Sequence, residues 1–255
     1  MPDSSYAVLG RGYWAGRMQK ILQDFGRRTV CIGESRRRTE ESDSQYKRRL
    51  AGSLARSGAQ IAWLCLTPGP HIPAILEVAA DAGMHAVVEK PWMCPLSLTE
   101  PLILRAQNSR LLVAVHYQLC LLEEVGRWRR DFGGGSGLRF SGRFVLGRPN
   151  HTGILPVDNL GCHLLSIREY AVPQAAVSEI RCADEGAPER RVWLESGNEP
   201  LASLDFLANR EPIIQRFVAA FEAARDNCNF PFDLSFGLRV YEAVEAIKQS
   251  ASSAS

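Results

Sequence analysis

The string GRGYWAGR at residues 10–17 and the string EKPW at residues 89–92 hold the residue types from which chemistry can be built. In the first, Gly10 permits a tight turn, Gly12 lets the backbone approach a phosphate, and Ala15 stands at the third small position, where a helix must pack closely on a strand. Such a turn offers the unpaired N–H groups and the positive end of the following helix to an anion. The chemistry implied is the holding of a dinucleotide pyrophosphate, with Arg11, Tyr13 and Trp14 completing the loop. In the second string Lys90 is a cation that can hydrogen-bond to and polarise a substrate, and Glu89 precedes it.

The elements that must position these groups are legible as periodicity. Residues 6–9 form an apolar strand, and Met18, Ile21, Leu22 and Phe25 mark one face of a helix that Gly26 ends. Residues 29–32 make the next strand, closed by Gly33 and Glu34. Glu34 lies 22 residues after Gly12, near the spacing of an acid that bonds the ribose 2′-hydroxyl of NAD. Ser35, Arg36, Arg37 and Arg38 follow at once, and a guanidinium pairs bidentately with the 2′-phosphate of NADP. These signals conflict; the expectation set here is NADP(H) over NAD(H), with Glu34, Ser35 and Arg36 in contact and Arg37 and Arg38 in solvent.

Residues 61–66 read as a buried parallel strand ending in Thr67-Pro68-Gly69-Pro70-His71, after which Ile72, Ile75, Leu76 and Ala79 repeat with helical period up to Gly83. Residues 86–88 form another strand, and Glu89 and Lys90 lie just past its C-terminal end. Ligands of open α/β sheets bind at those ends, so Lys90 shares an edge with the glycine turn.

Composition excludes several alternatives. A chain of 255 residues with net charge +2 and 45% apolar content is long enough for two globular lobes. It lacks the basic stripe of a nucleic-acid binder, and no apolar run approaches the roughly 20 residues of a membrane span. The start MPDSS carries no basic region leading into an apolar core, which sets the expectation of a cytoplasmic location. Seven scattered cysteines without a CxxC pair read as reduced thiols, and five histidines form no HExxH, so no metal is expected.

The ordered combination of GRGYWAGR, TPGPH with its downstream helix, and AGMHAVVEKPW followed by a helix and the strand at 111–115 resembles the glucose-fructose oxidoreductase, inositol dehydrogenase and MocA family. These are NAD(P)-dependent oxidoreductases. The resemblance covers most of residues 5–118 and returns in NLGCHLLS and the C-terminal helices. It implies a Rossmann doubly wound parallel sheet over residues 1–118. It further implies a smaller α/β domain over 119–248 with a mainly antiparallel open sheet that often forms a dimer interface; the C-terminal helices can pack back on the first domain. Residues 249–255 are expected as a disordered tail. The implied reaction is hydride transfer to or from a sugar, polyol, ketone or biosynthetic imine. By position Lys90 matches the family's EKP lysine, Thr67, Pro68 and His71 fall on the cofactor wall with His71 by the nicotinamide, and His163 matches the histidine of a DxGxH pattern that exchanges the proton.

That last pattern departs from the family, for Asn159 stands where Asp is usual and Asp158 is one residue earlier. Asparagine supplies no negative charge to stabilise an imidazolium. Either Asp158 turns inward, or Lys90 and His163 act alone, with the Lys90 ammonium lowering the histidine pKa; a third possibility is weakened or specialised activity, leaving a cofactor-binding sensor or assembly subunit. The glycines at 133–137 read as a turn. Residues 139–146, 177–182, 191–194 and 201–207 read as strands of a second sheet. With only about 40 residues between the His163 helix and the C-terminal helices, that sheet has room for a few short strands. This reads as a trimmed second domain, with the expectation of either a more open substrate site or greater dependence on a partner copy.

Overall fold

The computed structural model describes residues 4–33, 37–148, 153–208 and 212–253; Glu34, Ser35 and Arg36 lie outside them. In chain order the first elements are β1 (Ser5–Leu9), α1 (Tyr13–Asp24), β2 (Arg28–Ile32), α2 (Asp43–Ser57), β3 (Ile61–Leu64), α3 (Ile72–Asp81), β4 (His85–Val88), α4 (Leu96–Asn108) and β5 (Val113–Val115). There follow α5 (Glu123–Phe132), β6 (Leu138–Val145), α6 (Cys162–Ala171), β7 (Ala176–Ala183), β8 (Glu189–Ser196), β9 (Glu199–Asp205), α7 (Ile213–Ala224) and α8 (Leu234–Ser253). They form two compact units: residues 1–116 with 217–238, and residues 117–216 with 239–255. The chain leaves the first unit two residues before the boundary expected at 118, and the segment 217–238 returns to it.

The first unit is a five-stranded parallel sheet in the order β2-β1-β3-β4-β5. β1 and β3 are buried at every residue, as the near-continuous apolar runs of a sheet covered on both faces require. α2, which the sequence reading left unassigned, begins with a capping box: Ser42 accepts from the Gln45 N–H while the Gln45 side chain accepts from the Ser42 N–H. The returning segment is held by charge and by aromatic packing. Glu222 of α7, buried, accepts from Tyr6 Oη at 2.8 Å and takes a two-point hydrogen bond from Arg27, closest at 2.6 Å. Phe217 lies against Trp63 and His116, with ring centroids 6.1 and 4.6 Å away.

The second unit carries a four-stranded sheet in the order β7-β6-β8-β9. β6–β8 and β8–β9 are antiparallel and β6–β7 is parallel, so the sheet is mainly antiparallel, as the resemblance implied. The three strands between α6 and α7 are 8, 8 and 7 residues long rather than short. One face of the sheet is apolar, with Phe140, Phe144, Val192 and Leu194 buried. α6 approaches it so closely that a Cβ on Gly142 would meet the Leu164 methyls at 3.1 Å.

The C-terminal tail is a correction. α8 continues to Ser253, so residues 249–253 are helical rather than disordered; Gln249 and Ala251 favour the helix, and the Ser250 hydroxyl bonds back to the Ala246 carbonyl. Among the described residues no helix is long and apolar enough to cross a membrane. The seven cysteines are free thiols. Burial pushes Cys94 up to about 11 and both Cys120 and Cys182 up to about 12, which keeps those three protonated and unreactive at neutral pH.

Candidate functional site

The first unit gathers its chemistry at the carboxyl edge of the sheet. Gly10, just past β1, has φ of 134°, and a Cβ there would stand 2.5 Å from the Cys65 carbonyl oxygen. Only glycine fits that turn without displacing the backbone of the β3 end. Gly12 differs: its φ is −74°, and a Cβ would meet nothing within 4 Å. The space above Gly12 is therefore open, as a backbone that receives a ligand needs. Gly12 is the N-cap of α1 and gives no side-chain cap, so the first N–H groups of the helix are left to an anion. Ala15 is buried, and a Cβ on Gly10 would touch its methyl at 3.4 Å, which accounts for a small residue there. Tyr13 is 84% exposed at the start of α1, and Trp14 is half-buried, with the Arg17 guanidinium over its ring.

Arg11 lies across the end of β2, for a Cβ on Gly33 would fall on its side chain. A cavity of about 680 Å³ is walled by Arg37, Asp43, Tyr46, Thr67, His71 and Glu77 among others. Arg37 is exposed, as expected; it lies at the rim of this cavity and is tied by Nε to the Glu41 carbonyl and by a guanidinium nitrogen to Asp43, each at 2.6 Å. His71 lines this same cavity on the β2 side of the sheet. Thr67 is exposed and Pro68 half-buried in the loop after β3.

At the end of β4, Glu89 is buried and Lys90 half-buried, with a cis bond from Lys90 to Pro91. Glu89 accepts from the Trp63 indole at 2.8 Å and from His116 Nδ1 at 3.0 Å. Burial alone would raise its pKa. The charge and hydrogen bond of His116, with the Trp14 and Trp63 indoles, outweigh burial and hold the carboxyl below its ordinary value. Trp14 Nε1 is buried near this carboxylate but falls short of hydrogen-bond geometry. A buried, ionised carboxylate thus stands immediately before the candidate lysine, braced by two residues that the sequence reading did not single out. The visible signal was His116, a lone polar residue directly after the apolar strand at 113–115. Trp92 is buried, its indole bonded to Thr99, and Tyr117 is buried as well, so both belong to packing.

In the second unit His163 sits in the first turn of α6, 6% exposed, its ring stacked on Phe144 at 5.4 Å and 12°. A π-helical turn at Val157–Gly161 leads into α6 and contains Asp158 and Asn159. Such turns are rare and concentrate at functional positions. Asp158 is buried, and its Oδ1 accepts from Lys248 Nζ of α8 at 3.2 Å; Lys248 also bonds Glu245 at 2.6 Å. The carboxylate that could have replaced the missing Asp is thereby engaged by a cation of the C-terminal helix. The Asn159 carbonyl accepts from the Cys162 thiol at 3.3 Å.

No protein-family model matches the sequence, and no curated protein is found similar to it. Solved structures share its fold. UDP-N-acetylglucosamine 3-dehydrogenase GnnA from Acidithiobacillus ferrooxidans matches with a TM-score of 0.77 over 96% of this chain and 97% of that one, at 15% identity. The WlbA dehydrogenase from Thermus thermophilus, in complex with NAD and alpha-ketoglutarate, matches at 0.71 over 93% and 92%, again at 15% identity. An inositol dehydrogenase homolog from Azotobacter vinelandii, complexed with NADH and myo-inositol, matches at 0.67 over 95% and 93%, also at 15%. At that identity the likeness is one of fold, and the fold is the one the sequence resemblance implied.

Proposed function

We propose that the chain is an NAD(P)-dependent oxidoreductase that moves a hydride between a nicotinamide and a small oxygenated metabolite, a sugar, polyol or ketone, or a biosynthetic imine. The observation that carries this reading is the turn at Gly10 and Gly12, closed beneath by Cys65 and open above, on the same sheet edge as Glu89 and Lys90. Solved neighbours of the same fold bound to NAD or NADH support the choice of cofactor. When bound, the nicotinamide supplies the hydride. The chain's own residues do the rest: the α1 amides hold the pyrophosphate, Lys90 hydrogen-bonds to the substrate oxygen or nitrogen, and His163 exchanges its proton.

Within this reading NADP(H) is preferred. Arg11 at the end of β2 is a cation where the adenosine ribose is read in this fold, and a 2′-phosphate pairs bidentately with a guanidinium. A second reading, a cofactor-binding protein with little turnover, is favoured by Asn159 and by the engagement of Asp158 with Lys248.

Titration with NADPH and NADH, followed by turnover on a panel of sugars, polyols, ketones and imines, tests both. NADPH is expected to bind more tightly than NADH. Lys90→Ala and His163→Ala are expected to keep cofactor affinity within about threefold while losing turnover by roughly 100-fold or more. Full turnover in both variants would overturn the assigned roles, and tight NADPH binding with no turnover on the panel would favour the second reading.

A further inference from the structure

β8 places Arg190, Val192 and Leu194 on one face and Glu189, Arg191 and Trp193 on the other, because side chains alternate along a strand. The first row faces the apolar interior of the second unit, where Val192 and Leu194 are fully buried. Arg190 is the charged member of that row. It pairs with Phe144 across the β6–β8 ladder, and its guanidinium carbon lies 5.1 Å from the centre of the Phe144 ring, the same ring on which His163 is stacked.

Among the described residues the Arg190 side chain has no hydrogen-bond or ion-pair partner, and its Nε is buried. An arginine that reached the sheet edge merely to keep its head in water would leave Nε wet. Its charged neighbour is another cation, Arg148, exposed just past the end of β6. Burial first, and then Arg148, push the Arg190 pKa down, as expected for a guanidinium short of counter-charge. The nearby carboxylates are spent or remote: Glu189 faces Arg143 from the opposite row at 4.0 Å, and Asp184 follows β7, on the far side of β6. Arg190 as a whole is half-buried, and a desolvated Nε–H without an acceptor costs stability that a bound acceptor would recover.

We propose that Arg190, with Arg148, binds an oxyanion carried by the substrate, a phosphate or a carboxylate, beside the His163 ring. The inference deepens the functional reading and rests on its placement of His163 at the reacting end. It narrows the substrate class from oxygenated metabolites to anionic ones. Arg190 supplies the planar two-point donor, and Arg148 adds charge without needing to be buried.

Calorimetry on the full chain at low ionic strength tests it with inorganic phosphate, glucuronate and, as a neutral control, glucose. Phosphate or glucuronate is expected to bind saturably at one site, and glucose is not. Binding of phosphate alone assigns the anion as a phosphate, and binding of glucuronate alone as a carboxylate. Arg190→Gln should weaken binding roughly tenfold or more, and Arg190→Lys should restore part of it. Arg148→Gln changes an exposed residue and cannot fail for want of folding; it should weaken binding severalfold. Arg127→Gln, on α5, should leave it unchanged. Wild-type chain that binds neither anion, affinity unaltered in both Arg190→Gln and Arg148→Gln, or an equal loss in Arg127→Gln would each overturn the proposal. NADPH titrated into the same samples separates the two readings: anion binding without NADPH binding would sink the cofactor reading of the first unit and leave this site supported.

Discussion

Gly10 and Gly12 look alike in the sequence and do different work. At Gly10 a side chain collides with the backbone of Cys65 and the φ of 134° is itself unfavourable, so Gly10→Ala should cost stability, on the order of 1–3 kcal/mol. At Gly12 there is room and an ordinary φ, so Gly12→Ala should fold as well as the parent chain yet, under the proposed function, weaken dinucleotide binding roughly tenfold, because the methyl occupies the space a phosphate would need. Thermal unfolding and fluorescence titration of the two variants read both quantities. Equal stability losses would remove the distinction. The spacing alone assigned Gly10 to the turn and Gly12 to the phosphate; what it could not show is the carbonyl that enforces the first, brought there by β3 more than fifty residues away.

At the scale of elements, α7 is fixed to β1 and β2 by one carboxylate. Glu222 is buried and bonded to both Tyr6 and Arg27, so Glu222→Ala takes the carboxylate from a buried phenol and a half-buried guanidinium. Loss of the acceptor of such hydrogen bonds costs about 1–3 kcal/mol, and the urea midpoint at neutral pH should fall accordingly; an unchanged midpoint would mean that the network is not what holds α7. Strand positions were legible to within one or two residues, because parallel strands buried on both faces write themselves as apolar runs. α2 was not, since its buried stripe is only Tyr46, Leu50 and Leu54, one apolar residue per turn set among Lys47, Arg48 and Arg49. The bracing of Glu89 by Trp63 and His116 was equally hidden, as it joins three strands that only the sheet order sets side by side. Arg190 was readable in principle, as a charge standing in a period-2 row with Val192 and Leu194.

For the molecule as a whole, three carboxyls set the acid limit. Glu41 is held down to about 2, chiefly by its hydrogen bonds from Arg49; in Glu89 and Glu222 burial pushes upward but is outweighed, by His116 in the one and by Arg27 and Tyr6 in the other. Groups whose folded pKa is depressed bind fewer protons in the native state than in the unfolded one. Their stabilisation is therefore complete above the ordinary carboxylate value near 4.5 and fades as pH falls below it, for Glu41 toward about 2. Urea unfolding at pH 7, 4 and 3 should show midpoints that drop steeply over the last step, and a flat profile would contradict the pairing described. The two-unit α/β plan was legible in the sequence, but the interleaving at 116, 217 and 238 was not, since nothing local marks where a chain changes partners. That interleaving bears on biosynthesis. While the ribosome has delivered only the first two hundred or so residues, Tyr6 and Arg27 lack Glu222 and the rings of Trp63 and His116 lack Phe217, so the first unit waits, half-made, until the last stretch of chain emerges.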